Sequence, residues 1–121
     1  MSMVVWAGVG LIGGLGAVLR FLVDRAISSR TASAFPYGTL VVNLSGSVLL
    51  GLLTGLALSH EQALLAGTAA IGSYTTFSTW MFETQRLGEE RQVRGLAANV
   101  LVSLAAGIAA AALGQLVGSQ L

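Results

Sequence analysis

Between Gly72 and Trp80 the chain reads Gly-Ser-Tyr-Thr-Thr-Phe-Ser-Thr-Trp, which sets five Ser/Thr hydroxyls and a Tyr inside an otherwise apolar stretch. Hydroxyls at that density can replace water around an ion or bond backbone carbonyls that a helix has released. They lie within Gln62–Phe82, an uncharged segment long enough to cross a bilayer, since a spanning helix needs about 20 mostly apolar residues. Lipid cannot hydrogen-bond such groups. Polar or non-helical backbone at that depth survives only where protein buries it or water reaches it. The run therefore reads as the lining of a site or a pathway. Gly72 relaxes the helix, so a short break is expected there, and broken membrane helices expose carbonyls that coordinate small cations.

Other positions could contribute chemistry. Asn43 is an amide set a short way into an apolar segment; it reads either as an interhelical hydrogen bond or as a donor replacing water around a permeant anion. Phe77 and Trp80 stand at i and i+3 and share a face, a spacing that by itself reads as packing. Asn99 and Ser103 fall at i and i+4, followed by Gly107, and that polar stripe suits helix–helix contact as well as a pore wall. Arg20 closes the first apolar run, where it can snorkel to the interface or face a polar vestibule and attract anions. His60, the single histidine, reads as a solvated link residue. The sequon Asn43-Leu44-Ser45 would be inaccessible inside a membrane helix.

The elements that must position these residues are legible in the composition. Of 121 residues 55% are hydrophobic and 9% charged, against roughly 25% charged in a soluble domain. Charges fall into short clusters and leave four uncharged runs, Met1–Leu19, Thr31–His60, Gln62–Phe82 and Gly95–Leu121. The expectation is one all-α membrane domain, 1–121, with spanning helices at about 3–23, 38–59, 62–83 and 95–117. Met1-Ser2-Met3 brings no positive segment, so the first helix is expected to be retained. Four such helices leave no wide lumen, and a pathway would form more naturally where two copies meet.

Several function classes fall away. With no cysteine, thiolate metal sites and disulfides are excluded. Gly8-Val9-Gly10-Leu11-Ile12-Gly13 formally matches GxGxxG, but it has no preceding strand or βαβ unit. Its glycines, Gly10-xxx-Gly14 among them, read instead as surfaces for close helix approach, as does Gly51-xxx-Gly55. An enzyme is least supported, because no metal-ligand cluster, nucleophile–base pair or cofactor motif is present. A small four-helix multidrug exporter would need a membrane-embedded carboxylate, and the first helix has none before Asp24. A non-transporting membrane subunit would not need ordered polar positions in three helices.

Three segments resemble one family. Gly13-Gly14-Leu15-Gly16-Ala17-Val18-Leu19-Arg20, Phe35-Pro36-Tyr37-Gly38-Thr39-Leu40-Val41-Val42-Asn43-Leu44-Ser45-Gly46 and Gly72-Ser73-Tyr74-Thr75-Thr76-Phe77-Ser78-Thr79 are similar, in order and spacing, to motifs of the Fluc (CrcB) fluoride channels. The resemblance covers essentially the whole chain. It implies passive export of cytoplasmic fluoride through the cell membrane, which lowers fluoride toxicity, and an antiparallel dual-pore dimer of four-helix subunits. It also implies a third helix broken mid-membrane, where the carbonyls of Gly72 and Thr75 hold a structural sodium ion. Asn43, Phe77, Trp80, Thr76, Thr79, Ser103 and Arg20 would line the fluoride path, with no organic cofactor and no nucleic-acid partner. Trp80 and Asn99 depart from the pattern, standing where relatives carry phenylalanine and, in many cases, tyrosine. Gly107 lacks a hydroxyl that some relatives carry near there.

The physical chemistry of those residues suits the task. Fluoride is small and strongly hydrated, so a dry pore must replace its water with N–H and O–H donors, which Asn, Ser and Thr supply. Aromatic ring edges are positive and add weak anion contacts. Conduction requires that no site bind too tightly, and the chain has no lysine. Arg25 and Arg30 in the first loop and Arg86, Arg91 and Arg94 in the third share one side of a four-helix arrangement. Positive residues in short loops favour the cytoplasm, which places both termini outside. Such a bias fits one orientation better than two, so the partner is either a second copy or an oppositely oriented relative.

Overall fold

The computed structural model describes Met1–Leu121 and is all-helical. Helix α1 spans Met3–Ser28, α2 spans Tyr37–Gly55 and α6 spans Val93–Gly118. These three are long and apolar enough to cross a membrane. Between α2 and α6 the third apolar run is divided. It opens as α3 (His60–Ala63), widens into a π-helical segment over Leu64–Ile71 and tightens again as α4 (Gly72–Tyr74). After an interruption at residues 75–77 it resumes as α5 (Ser78–Glu89). No single piece of it is a spanning helix by length.

Helix ends differ from the expected 3–23, 38–59, 62–83 and 95–117 for local reasons. Helix α1 continues past Asp24 because nothing breaks it before the polar stretch at Ser28–Thr31; its start is capped by Ser2, whose hydroxyl accepts the Val5 N–H. Helix α2 stops at Gly55, four residues early, as Leu56 turns extended. Ser59 is not the tail of α2 but the cap of α3. Its hydroxyl accepts the Gln62 N–H while the Gln62 side chain accepts the Ser59 N–H, the reciprocal pairing that an S-x-x-Q sequence encodes.

Packing is most extensive between α2 and α6. Gly51 lies against the carbonyl of Ala111, Gly114 against that of Val48 and Gly118 against that of Leu52, so the two backbones touch over several turns. Helix α1 packs on the π-helical segment, α2 and α4. There the close approaches are at Gly13 and Gly16, whose side-chain positions face Ser73 and Ala70. Gly10 and Gly14 have open space around them. The expected packing face on α1 is therefore displaced to neighbouring glycines, whereas Gly51-xxx-Gly55 packs as anticipated. Only 13 of 121 residues are buried, and large apolar side chains of α1 and α6 face outward. In water that exterior would drive association; in a bilayer it is the matched surface.

Candidate functional site

The interruption of the third run is held open by a side chain from another helix. Asn43 of α2 accepts the Thr76 N–H at its Oδ1, 2.8 Å, and donates from Nδ2 to the Thr76 carbonyl, also 2.8 Å. An α-helix would have paired the Thr76 N–H with the Gly72 carbonyl. The Thr75 N–H still bonds Ile71, but neither Gly72 nor Thr75 has its own carbonyl engaged by a backbone N–H. Thr75 is extended, with ψ 160. Thr76 then starts α5 by accepting the Thr79 N–H at its Oγ1, 3.1 Å, a capping bond that satisfies one orphan donor of the new helix. The break lies at residues 75–77, three residues beyond Gly72, which remains helical. Gly46 permits it, since a Cβ there would collide with the Thr75 methyl.

Around the break lies a cleft of about 280 Å³ whose lining includes Asn43, Thr75, Thr76, Phe77, Trp80 and Ser103. Asn43 has two Nδ2 hydrogens and commits one to Thr76, so one donor remains. Ser103 adds a hydroxyl. The rings of Phe77 and Trp80 both line the cleft and stand 5.7 Å apart at 77°, edge to face, the arrangement aromatic quadrupoles favour. Phe77 is 71% exposed at a position that its own chain does not cover. Ser47 also lines the cleft and donates to the Asn43 carbonyl at 2.8 Å. Sequence reasoning passed over it, although its place one turn after Asn43 was the available signal.

Arg20 and Thr79 are set apart from this cleft. With Asp24, Thr39, Val42 and Thr76 they surround a small cavity of about 10 Å³, near the size of one water. The Arg20 Nε is buried there without a protein partner. Thr76 lines both spaces and Asp24 and Thr39 open onto a polar pocket at the first loop. At that end Arg86 pairs with Glu83 and Glu90 and donates to the Ala34 carbonyl. The hydrogen bonds it donates to Glu83 first, then to Glu90, push the Arg86 guanidinium above its already high range, so it stays charged at every physiological pH.

Asn99 and Ser103 do not act as one stripe. Ser103 faces the cleft, while Asn99 is fully buried between α5 and α6. Its Nδ2 donates to Thr84 Oγ1 at 2.9 Å, and its backbone carbonyl accepts the Trp80 Nε1–H at 3.0 Å. The chain contains no grouping of His, Asp or Glu suited to a metal. The Gly72 and Thr75 carbonyls, which no backbone N–H engages, are hard oxygen donors.

The chain is similar to proteins of one family. Residues 7–115 match the family model described as CrcB-like protein, Camphor Resistance (CrcB). The fluoride-specific ion channel FluC 2 of Mycolicibacterium paratuberculosis is 66% identical over 114 residues, covering 94% of this chain and 93% of that protein. The FluC 2 channel of Mycobacterium tuberculosis is 61% identical over 115 residues, covering 95% and 91%. The FluC 1 channel of Symbiobacterium thermophilum is 40% identical over 119 residues, covering 93% and 96%.

Proposed function

Since the chain belongs to the CrcB family, we propose that it is a fluoride-selective channel that lets fluoride leave the cytoplasm passively and so lowers its toxicity. It is not an enzyme but a multi-pass membrane protein. The observation that carries the reading is the Asn43 clamp on the break. One side chain holds open a helix at a cleft and still offers that cleft a hydrogen-bond donor. Hydrogen bonds to an ionised acceptor are roughly twice as strong as neutral ones. Asn43 and Ser103 would thus replace part of the hydration shell, with the edges of Phe77 and Trp80 completing it. Arg20 and Thr79, at the small cavity, would gather anions before the cleft, with Thr76 between the two. A proton-coupled exporter would call for a carboxylate here; none of the cleft's 10 lining residues is acidic.

The divided third run acts as the fourth crossing in this reading, and two subunits lie antiparallel with a pathway on each side. Exposure of Phe77 supports the second subunit, because a partner must cover that ring to make the cleft a closed path. A structural sodium ion at the subunit junction would be held by the Gly72 and Thr75 carbonyls, whose helical partners, the Thr76 and Thr79 N–H groups, are taken instead by Asn43 Oδ1 and Thr76 Oγ1. In the cell the partner is a second copy or an oppositely oriented relative, the latter favoured by the arginines on one side. With no native cysteine, Ser2→Cys and Ser29→Cys can be labelled separately in intact cells. Labelling of each site from both faces would restore a dual-topology homodimer.

The decisive experiment is efflux from liposomes holding the purified protein. Fluoride should leave quickly and chloride should not; equal rates would end the assignment.

A further inference from the structure

Trp80 brings a ring N–H to the edge of the cleft, and the structure ties that N–H away from it. An indole has one N–H and no acceptor. Here it is spent on the main-chain carbonyl of Asn99 at 3.0 Å. The Asn99 side chain closes the arrangement from the other direction. Its Nδ2 donates to Thr84 Oγ1 at 2.9 Å and lies 3.5 Å from the Trp80 carbonyl, to which the Thr84 hydroxyl donates at 2.8 Å. The Thr84 proton is thereby used, so Asn99 must present N–H to it. That orientation leaves Asn99 Oδ1 buried without a partner. A fully buried amide kept with an orphaned oxygen is there for what its N–H side fixes.

We propose that Asn99 is a positioning residue whose side chain, through Thr84 and the Trp80 carbonyl, fixes the α5–α6 register that keeps its own main-chain carbonyl on the indole N–H, so that the Trp80 ring, and not its N–H, faces the anion path. The inference rests on the fluoride-channel reading and names a selectivity device within it. A free indole N–H would be a full-strength donor to any halide and would add a tight site where passage needs weak ones. With the N–H held by α6, Trp80 presents ring atoms to Phe77 and the cleft as a phenyl group would. The competing account is that Asn99 only joins α5 to α6. That account predicts the same loss on removing Asn99 whichever ring stands at position 80.

A double-mutant cycle separates the two. Fluoride and chloride efflux would be compared for the wild type, Asn99→Leu, Trp80→Phe and the double variant. Trp80→Phe sets the reference preference, that of a ring with no N–H. Asn99→Leu should lower the wild-type preference about tenfold, a coupling of the size seen between residues in contact. The double variant should match Trp80→Phe within about twofold, because phenylalanine has no N–H to release. An equal loss in both backgrounds would overturn the proposal. If Asn99→Leu does not purify as a dispersed species, Thr84→Val takes its place with the same expected pattern.

A second arm needs no transport. In a Trp6→Phe background Trp80 is the sole indole, and hydrogen exchange of its N–H can be followed directly. Exchange should be slow, and Thr84→Val should speed it about tenfold or more. Fast exchange with Asn99 and Thr84 intact would overturn the lock. A protein that moves no fluoride yet keeps a slow indole would overturn the channel reading alone and leave the lock supported.

Discussion

Along the α2–α6 seam, Gly51, Gly114 and Gly118 each set a backbone against the carbonyl of the other helix. At the break, Gly46 brings the same helix α2 against Thr75, and Asn43, three residues earlier, takes over the Thr76 backbone. Both places depend on glycine for close approach, yet the outcomes are opposite. At the seam both helices run uninterrupted and pack directly against each other. At the break a side chain substitutes for the helix, carbonyls are released and a cleft opens. Rigidity in one half of α2 thus supports an irregular backbone facing the other half. Membrane helices reward small residues with backbone packing, while an interrupted one must have its polar groups satisfied by neighbours.

The comparison can be broken first at the seam. Gly114→Val places side-chain atoms on the Val48 carbonyl, where only backbone stands to yield. The cost should reach the upper end of the roughly 1–3 kcal/mol typical of overpacking. The expected outcome is loss of dispersed protein in size-exclusion chromatography. Normal yield with normal efflux would mean that the seam is far softer than its geometry.

Next in size is Asn43→Ala, which leaves the Thr76 N–H and carbonyl unpaired and removes a donor from the cleft. Each unmet buried group costs about 1–3 kcal/mol, so fluoride efflux should fall at least ~10-fold while the folded protein is still recovered. Phe77→Ala should also cut efflux severely. Wild-type flux in both would move the pathway elsewhere.

These two sites were not equally legible in the sequence. Four apolar runs and the Gly51-xxx-Gly55 face could be read directly, because hydropathy and glycine spacing are local signals. The break was legible as a run of hydroxyls, but its register was not. Gly72 marks where the helix is weakest, whereas the interruption falls where Asn43, thirty-odd residues away, reaches Thr76. The opposite duties of Asn99 and Ser103 were hidden for a related reason. One turn apart on α6, they share a face in projection, and only the position of α5 decides that one is sealed and the other meets the cleft. The S-x-x-Q cap at Ser59 was present in the sequence and is the clearest missed local signal.

A smaller effect is expected at Thr75. Thr75→Ser keeps both the carbonyl and the hydroxyl that donates to Ile71 at 3.0 Å, so assembly and flux should change by less than about twofold. Exchange into sodium-free buffer, by contrast, should weaken subunit association, read as a shift toward monomer. Unchanged association after exhaustive exchange would remove the ion from the account.

The smallest effect is predicted on α1, where glycines of the same helix divide between the two behaviours. A Cβ at Gly16 would stand 2.5 Å from the Ala70 carbonyl oxygen, and one at Gly13 would stand 3.2 Å from Ser73 Oγ, both on the segment leading into the break. At Gly10 and Gly14 a Cβ would meet nothing within 4 Å. Alanine is the better helix former by about 1 kcal/mol in water, so Gly10→Ala and Gly14→Ala should leave thermal stability equal or slightly raised and efflux unchanged. Gly16→Ala should lower both, because the third run must shift away from α1 and carry Thr75 and Thr76 with it. Should Gly10→Ala or Gly14→Ala instead abolish dimers while the monomer stays folded, the outward face of α1 is where the second subunit sits. The cleft would then have to be closed by something other than a partner across Phe77.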